Sequence, residues 1–62
     1  MPKEREVRNV LNRLRREGWT EVPGRGSHIV FRKRGQMLVV PTSKHEIPIG
    51  TYRNIAKTAG WL

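Results

Sequence analysis

Residues 27–41, SHIVFRKRGQMLVVP, have the pattern of a β-hairpin. Apolar and polar side chains alternate over the first seven of these residues, which is the period of a half-buried strand. Ile29 and Phe31 then lie on one face of the strand, and His28 lies on the other. The sequence therefore predicts that His28 points away from the main core.

A tight turn over residues 34–36 joins this strand to a second one at residues 37–40, which we expect to be more buried and to end at Pro41. A short edge strand is predicted over residues 19–22, before the break PGRG at residues 23–26. Together these segments predict three antiparallel strands.

An amphipathic helix is predicted on each side of the strands. Residues 4–17 carry apolar side chains at the spacing i, i+3, i+4 and i+7, and Gly18 is placed to end this helix. Thr51 is the expected N-cap of a second helix with the same spacing, which Gly60 ends. The side chains expected to pack back after the two helix ends are Trp19, Trp61 and Leu62.

The length of 62 residues suits one domain, and we find neither an internal repeat nor a linker that would divide residues 1–62. A three-stranded antiparallel sheet with two helices packed on one face satisfies every apolar stripe. The sequence thus predicts an α+β fold of the order α-β-β-β-α.

The charge balance indicates a polyanionic partner. Thirteen Lys and Arg against five Asp and Glu give a net charge of +8, for which nucleic acid is a better explanation than a membrane surface or solubility alone. The chain contains no cysteine, which fits a reducing compartment. Its charged first residues precede no apolar signal core, and no apolar run is long enough to span a membrane, so we expect a cytoplasmic location.

A candidate catalytic feature is the segment GRGSH at residues 24–28, in which a glycine-rich turn directly precedes His28. Glycines allow a backbone to approach a phosphate closely, and an imidazole exchanges protons near neutral pH, as transesterification at an RNA phosphate requires. From spacing alone, a lone histidine is more often an ordinary exposed strand residue. The side chains expected to contact RNA phosphates are Arg25, Arg32, Lys33, Arg34, Lys44 and Lys57.

Other catalytic chemistries find little support in the residues. The chain has no Asp, so a Ser-His-Asp triad cannot form, and its five glutamates are scattered rather than paired. Two histidines without cysteine are a weak metal site, so we expect no metal cofactor, and His45 is best explained as a solvated loop residue. The aromatic side chains Trp19, Tyr52 and Trp61 are expected in the core.

Several short motifs, taken in order and spacing, resemble the HicA family of toxins. The matching segments are Gly-Ser-His at 26–28, Phe31, Val39-Val40-Pro41, Glu46-Ile47-Pro48, Gly50-Thr51, Ile55, Lys57 and Ala59-Gly60. The resemblance covers nearly the whole chain, including the opening helix with Gly18-Trp19. It implies a fold like the double-stranded-RNA-binding domain.

The resemblance also implies a function. The family's catalytic residue is the histidine of the Gly-Ser-His motif, here His28, and its members are translation-blocking mRNA endonucleases without a metal cofactor. A HicB-type antitoxin is expected to cover the active site. Many members carry a histidine shortly after the strand-ending proline, where this chain has Thr42 and Ser43, so a second catalytic histidine is not expected.

The expected mechanism is attack of a ribose 2′-hydroxyl on the adjacent phosphate, with His28 as general base or acid. Gly26, Ser27 and Arg25 would orient that phosphate. Three other functions remain open at this stage: a non-catalytic RNA-binding module of the same fold, a DNA-binding or adaptor protein, and a purely structural interaction protein.

Overall fold

The fold is a three-stranded antiparallel sheet with two helices packed on one face. The structure, a computed structural model, describes residues 3–24 and 26–62. Its elements in chain order are α1 (Val7–Arg16), β1 (Thr20–Pro23), β2 (His28–Lys33), β3 (Gln36–Pro41) and α2 (Ile49–Ala59). The strands lie in the order β1-β2-β3. The predicted α+β class and α-β-β-β-α order are confirmed.

Only one face of the sheet is covered. Cross-strand partners share a face, and the pairs Phe31↔Leu38 and Ile29↔Val40 lie beneath the helices. The opposite face, which we call the open face, belongs to the alternate residues of each strand. Its members are Thr20, Val22, His28, Val30, Arg32, Met37, Val39 and Pro41.

The core lies between the covered face and the two helices. Each large apolar side chain removed from water stabilises the fold by about 1.5–3 kcal/mol. The core residues are Val10, Leu14, Trp19, Phe31, Leu38, Val40, Ile47, Tyr52, Ile55 and Ala56. The core assignment of Trp19 and Tyr52 is thus confirmed, and burial raises the pKa of Tyr52.

Helix α1 begins three residues later than predicted. Glu6 has an extended backbone and forms an isolated antiparallel bridge with Glu46. The amide of Ile47 donates to the Arg5 carbonyl at 2.8 Å, and the amide of Val7 donates to the His45 carbonyl at 3.0 Å. The segment before α1 therefore pairs with the β3–α2 loop rather than forming a first helical turn.

The end of α1 agrees with the sequence. Gly18 has a φ of 89°, and the Trp19 amide donates to the Leu14 carbonyl at 3.1 Å, which closes the helix as a Schellman motif. Trp19 turns into the core, where it is 6% exposed. Strand β1 begins at Thr20 rather than at Trp19 and includes Pro23, which the sequence had placed in the break, because Pro23 pairs with Ile29. As predicted, β1 is an edge strand.

A two-residue turn joins β2 to β3. Arg34 and Gly35 both have positive φ, 51° and 78°, between the paired residues Lys33 and Gln36, which is the type I′ hairpin geometry. The predicted tight turn is therefore present. The expectation that all of residues 37–40 are more buried was wrong, because β3 alternates and its open-face residues are exposed.

Helix α2 begins at Ile49, before the predicted N-cap Thr51. The carbonyl of Pro48 accepts from the amide of Tyr52 at 2.8 Å, so Pro48 occupies the cap position and Thr51 lies inside the first turn. The helix ends at Gly60 as predicted, with a φ of 82°. Trp61 packs back against the core, whereas Leu62 is 75% exposed, contrary to expectation.

Candidate active site

His28 is the first residue of the central strand and lies on the open face. Its side chain is exposed, as the alternation in the sequence predicted. Its cross-strand partner is Pro41, the last residue of β3. Strand pairing constrains the backbone of His28, and therefore the point from which its imidazole projects. The imidazole remains accessible to a substrate that approaches the open face.

Gly24 lets the β1–β2 loop pass close to His28. A Cβ atom on Gly24 would lie 2.5 Å from the His28 carbonyl oxygen, a separation that real Cβ atoms do not show. Any other residue would push the backbone of His28 away. Gly26 was the glycine predicted at the site, because the GRG spacing alone does not show that it is Gly24 that touches the strand.

Ser27 and Gly26 precede His28 directly and are both exposed. The Ser27 carbonyl accepts the Thr42 amide at 2.6 Å, so β2 and β3 stay connected one step beyond the His28↔Pro41 pair. The backbone on the N-terminal side of His28 is thereby fixed. Arg25, another predicted phosphate-binding residue, lies outside the described residues.

Two of the predicted phosphate-binding arginines lie at the other end of β2. Arg32 shares the open face with His28 but is four residues away, about 13 Å at roughly 3.3 Å per residue. Arg34 belongs to the hairpin turn and is exposed. These two guanidinium groups are placed to contact phosphates further along a bound strand rather than the phosphate nearest His28.

Two predicted lysines do not join His28. Lys33 lies on the covered face, where its ammonium donates to the Glu17 carbonyl at 2.7 Å and lies 5.8 Å from the centre of the Trp19 ring. These contacts make it a structural residue that ties β2 to the end of α1. Lys57 projects from α2, which packs on the covered side of the sheet, so it does not reach the open face.

Lys44 and His45 lie in the loop after β3, near Pro41. Both are exposed, as expected for His45. The Nε2 atom of His45 is 3.4 Å from the Glu6 carboxylate. The same carboxylate forms ion pairs with Lys3 at 3.6 Å and with Arg8 at 3.8 Å. His45 is therefore directed toward the start of α1 rather than toward His28.

The arrangement offers proton transfer by one imidazole beside a backbone turn. Within residues 3–24 and 26–62, no three His, Asp or Glu side chains gather where they could hold a metal ion. In the same described part of the chain, no helix is both long enough and apolar enough to cross a membrane. The open face itself carries His28 and Arg32 and no carboxylate among its described members.

Comparison with known proteins gives one family. A model of the HicA toxin of bacterial toxin–antitoxin systems matches residues 7–61, from the start of α1 to the residue after Gly60. The match includes the glycine turn, His28, all three strands and both helices. A search of curated proteins finds no match.

Proposed function

The chain belongs to the HicA family of toxins from bacterial toxin–antitoxin systems, and from this premise we propose that it cleaves mRNA with His28 as its catalytic residue. Toxins of this family are in general mRNA-cleaving ribonucleases. The observation that carries the proposal for this chain is the exposed His28 imidazole at the start of the central strand, on the face that no helix covers. A net charge of +8 favours binding of the RNA backbone.

The proposed reaction is an internal transesterification. A ribose 2′-hydroxyl attacks the adjacent phosphorus, so that a new O–P bond forms while the bond to the 5′-oxygen of the next nucleotide breaks. His28 takes the proton of the 2′-hydroxyl as general base, and the leaving 5′-oxygen takes a proton from solvent. The products are a 2′,3′-cyclic phosphate and a free 5′-hydroxyl.

The groups around His28 would position the phosphate rather than react. Gly26 and Ser27 present exposed backbone and a hydroxyl next to His28, and donors aimed at a phosphate stabilise the charge that develops in the transition state. We also assign phosphate contacts to Arg25, Arg32, Arg34 and Lys44. Lys33 and Lys57 are left out of this set because of the contacts and the placement described above.

The family implies an antitoxin as the protein partner. We propose that this partner is of the HicB type and that it inhibits the toxin by covering His28 on the open face. Because the proposed substrate is mRNA, we place the activity in the cytoplasm.

One observation favours the alternative of a binding module that does not cleave. Among the described residues of the open face, His28 is the one side chain suited to move a proton at neutral pH, and RNA cleavage also needs a proton for the leaving oxygen. A protein of this fold could grip structured RNA through its backbone without chemistry.

The test is cleavage of a labelled messenger-like RNA in EDTA by the wild type and by His28→Ala, with His45→Ala as a matched control that removes the other histidine. We expect His28→Ala to lose at least about 100-fold in rate while it retains RNA binding, and His45→Ala to cleave at the wild-type rate. Equal cleavage by His28→Ala would exclude His28 from the chemistry. A folded wild type that binds but does not cleave would establish the binding module.

A further inference from the structure

A small cleft lies beside the candidate active site, between the β3–α2 loop and the first turn of α2. Its volume is about 180 Å³. Sites for drug-sized ligands are larger, roughly 300–1,000 Å³, so this cleft suits a single ring system. Its lining residues are Pro41, Ser43, Lys44, Glu46, Pro48 and Thr51.

The cleft and His28 share a boundary. Pro41 lines the cleft and is also the cross-strand partner of His28. The hydrogen bond from the Thr42 amide to the Ser27 carbonyl holds the start of the loop against the residue before His28. A ring in the cleft would therefore be a close neighbour of a phosphate placed at His28.

The loop that forms the cleft is held at its start by the Thr42 amide and at its end by residues 46–48. Ile47 is buried in the core at 1% exposure, and its amide donates to the Arg5 carbonyl. Glu46 pairs with Glu6 through the isolated bridge, and the Pro48 carbonyl caps α2. A site that is already ordered loses little conformational entropy when a ligand binds.

The polar groups of the cleft are available to a ligand. Among the described residues, the side chains of Ser43, Glu46 and Thr51 have no hydrogen-bond or ion-pair partner. The rings of Pro41 and Pro48 add apolar surface to the lining. Apolar surface combined with a few polar groups is the chemistry of a small-molecule or nucleobase site.

We propose that this cleft binds the base of the nucleotide beside the cleaved bond, and that the Glu46 carboxylate selects bases that carry an exocyclic amino group. A carboxylate accepts from the N4 amino group of cytosine, whereas uracil presents a carbonyl oxygen at that position. The lone pairs of that oxygen would face those of Glu46, while the Lys44 ammonium, which also lines the cleft, is assigned to the phosphate. The identification of the ligand as RNA rests on the proposed function.

The test compares RNA oligonucleotides that differ only by cytosine or uracil, placed in turn on each side of the cleaved bond. The variant is Glu46→Gln, whose exposed side chain is not needed for the core. The matched control is Glu21→Gln, the same charge change at a residue paired with Arg15. We expect the wild type and Glu21→Gln to cleave the cytosine substrate about tenfold faster at one of the two positions, and Glu46→Gln to reduce this ratio below about twofold.

A binding measurement separates this proposal from the proposed function. Equilibrium binding of the same oligonucleotides to His28→Ala protein, with and without Glu46→Gln, does not depend on cleavage. A cytosine preference that Glu46→Gln removes supports the cleft, even in a protein that cleaves nothing. Absence of any preference in both cleavage and binding, or a preference that Glu46→Gln leaves intact, overturns the proposal while His28-dependent cleavage still stands.

Discussion

The two helices end in the same two residues, Gly18-Trp19 and Gly60-Trp61, yet the two indoles have different surroundings. At each end the glycine has a left-handed φ, and the tryptophan amide donates to the carbonyl five residues earlier, at 3.1 Å in the first case and 2.8 Å in the second. The backbone motif is therefore the same, and it is a consequence of the local sequence.

The indoles differ in what they touch. Trp19 is in the core, and its Nε1 atom has no acceptor among the described residues. Trp61 is half-buried, and its Nε1 atom donates to the Glu17 carboxylate at 2.7 Å while the Arg13 guanidinium lies 4.1 Å from its ring centre. Trp19 thus contributes buried apolar area, and Trp61 ties the end of α2 to the end of α1 through polar contacts.

The Gly-Trp pair therefore determines the backbone turn at each helix end, but it does not determine how deeply the indole ring is buried. The Trp19 ring lies in the core cluster, with a relative exposure of 6%. The Trp61 ring is half-buried at the edge of the core, with its ring centre 6.2 Å from that of Tyr52. The following substitutions test this difference, in order of decreasing expected effect.

Trp19→Ala should destabilise the fold most strongly, because it leaves a cavity in a thin core. We expect a loss of about 3–5 kcal/mol in the free energy of unfolding. A domain of 62 residues has roughly 3–9 kcal/mol in total, so little folded protein should remain. Trp61→Ala is the matched control and should cost less than half as much in urea unfolding followed by circular dichroism. Equal losses of unfolding free energy in the two variants would contradict the difference in burial between Trp19 and Trp61.

Gly18→Ala and Gly60→Ala should cost nearly the same, about 1–2 kcal/mol each, since each places a side chain on a left-handed residue. An added Cβ meets nothing within 4 Å at either position, so backbone strain is the whole expected effect. Thermal unfolding of both variants measures it. A difference above about 1 kcal/mol would show that the two ends are not equivalent in their backbone.

Trp61→Phe should lower stability by about 1 kcal/mol, because it removes the hydrogen bond to Glu17 while keeping an aromatic ring. Trp19→Phe removes an indole N–H that has no acceptor in the described part of the chain, so its cost is one of lost volume only. Urea unfolding of each Trp→Phe variant, measured in the wild-type background and in the Glu17→Ala background, distinguishes these two causes. The effect of Trp61→Phe should shrink in that background, and the effect of Trp19→Phe should not.

The smallest expected effect is a pH dependence. The hydrogen bond from Trp61, followed by contacts with Arg13, lowers the pKa of Glu17. Because the folded pKa lies below the unfolded one, the Glu17 carboxylate stabilises the fold above about pH 4.5 and loses this contribution as the pH falls through the lowered folded value. Glu17→Gln should lose less stability between pH 6 and pH 3 than the wild type, measured by thermal unfolding in steps of pH.

Much of the fold could be predicted because its signals are local. The alternation around Phe31 indicated β2 and its faces, and glycines in the correct places indicated both helix ends. The start of α1 was missed because Glu6 pairs with Glu46, forty residues away in the sequence. No helical periodicity contains that contact, and the same holds for the cap of α2, which Pro48 rather than Thr51 provides.

The candidate site divides in the same way. The exposure of His28 followed from the period of its strand, and so did the separation of His28 from the core. The contacts of Lys33 with Glu17 and Trp19 could not be predicted, because they join β2 to the end of α1 across the covered face. The closeness of Gly24 to His28 and the cleft beyond Pro41 are also tertiary features.

The order β1-β2-β3 has a consequence for the speed of folding. Each strand pairs with its neighbour in the chain, so the sheet can grow by closing short loops, which is a fast route for a small α+β domain. Ribosomes add about 5–20 residues per second, so we expect folding to be complete very soon after the last residue emerges. A partner protein that binds after synthesis would therefore meet a folded sheet rather than an unfolded chain.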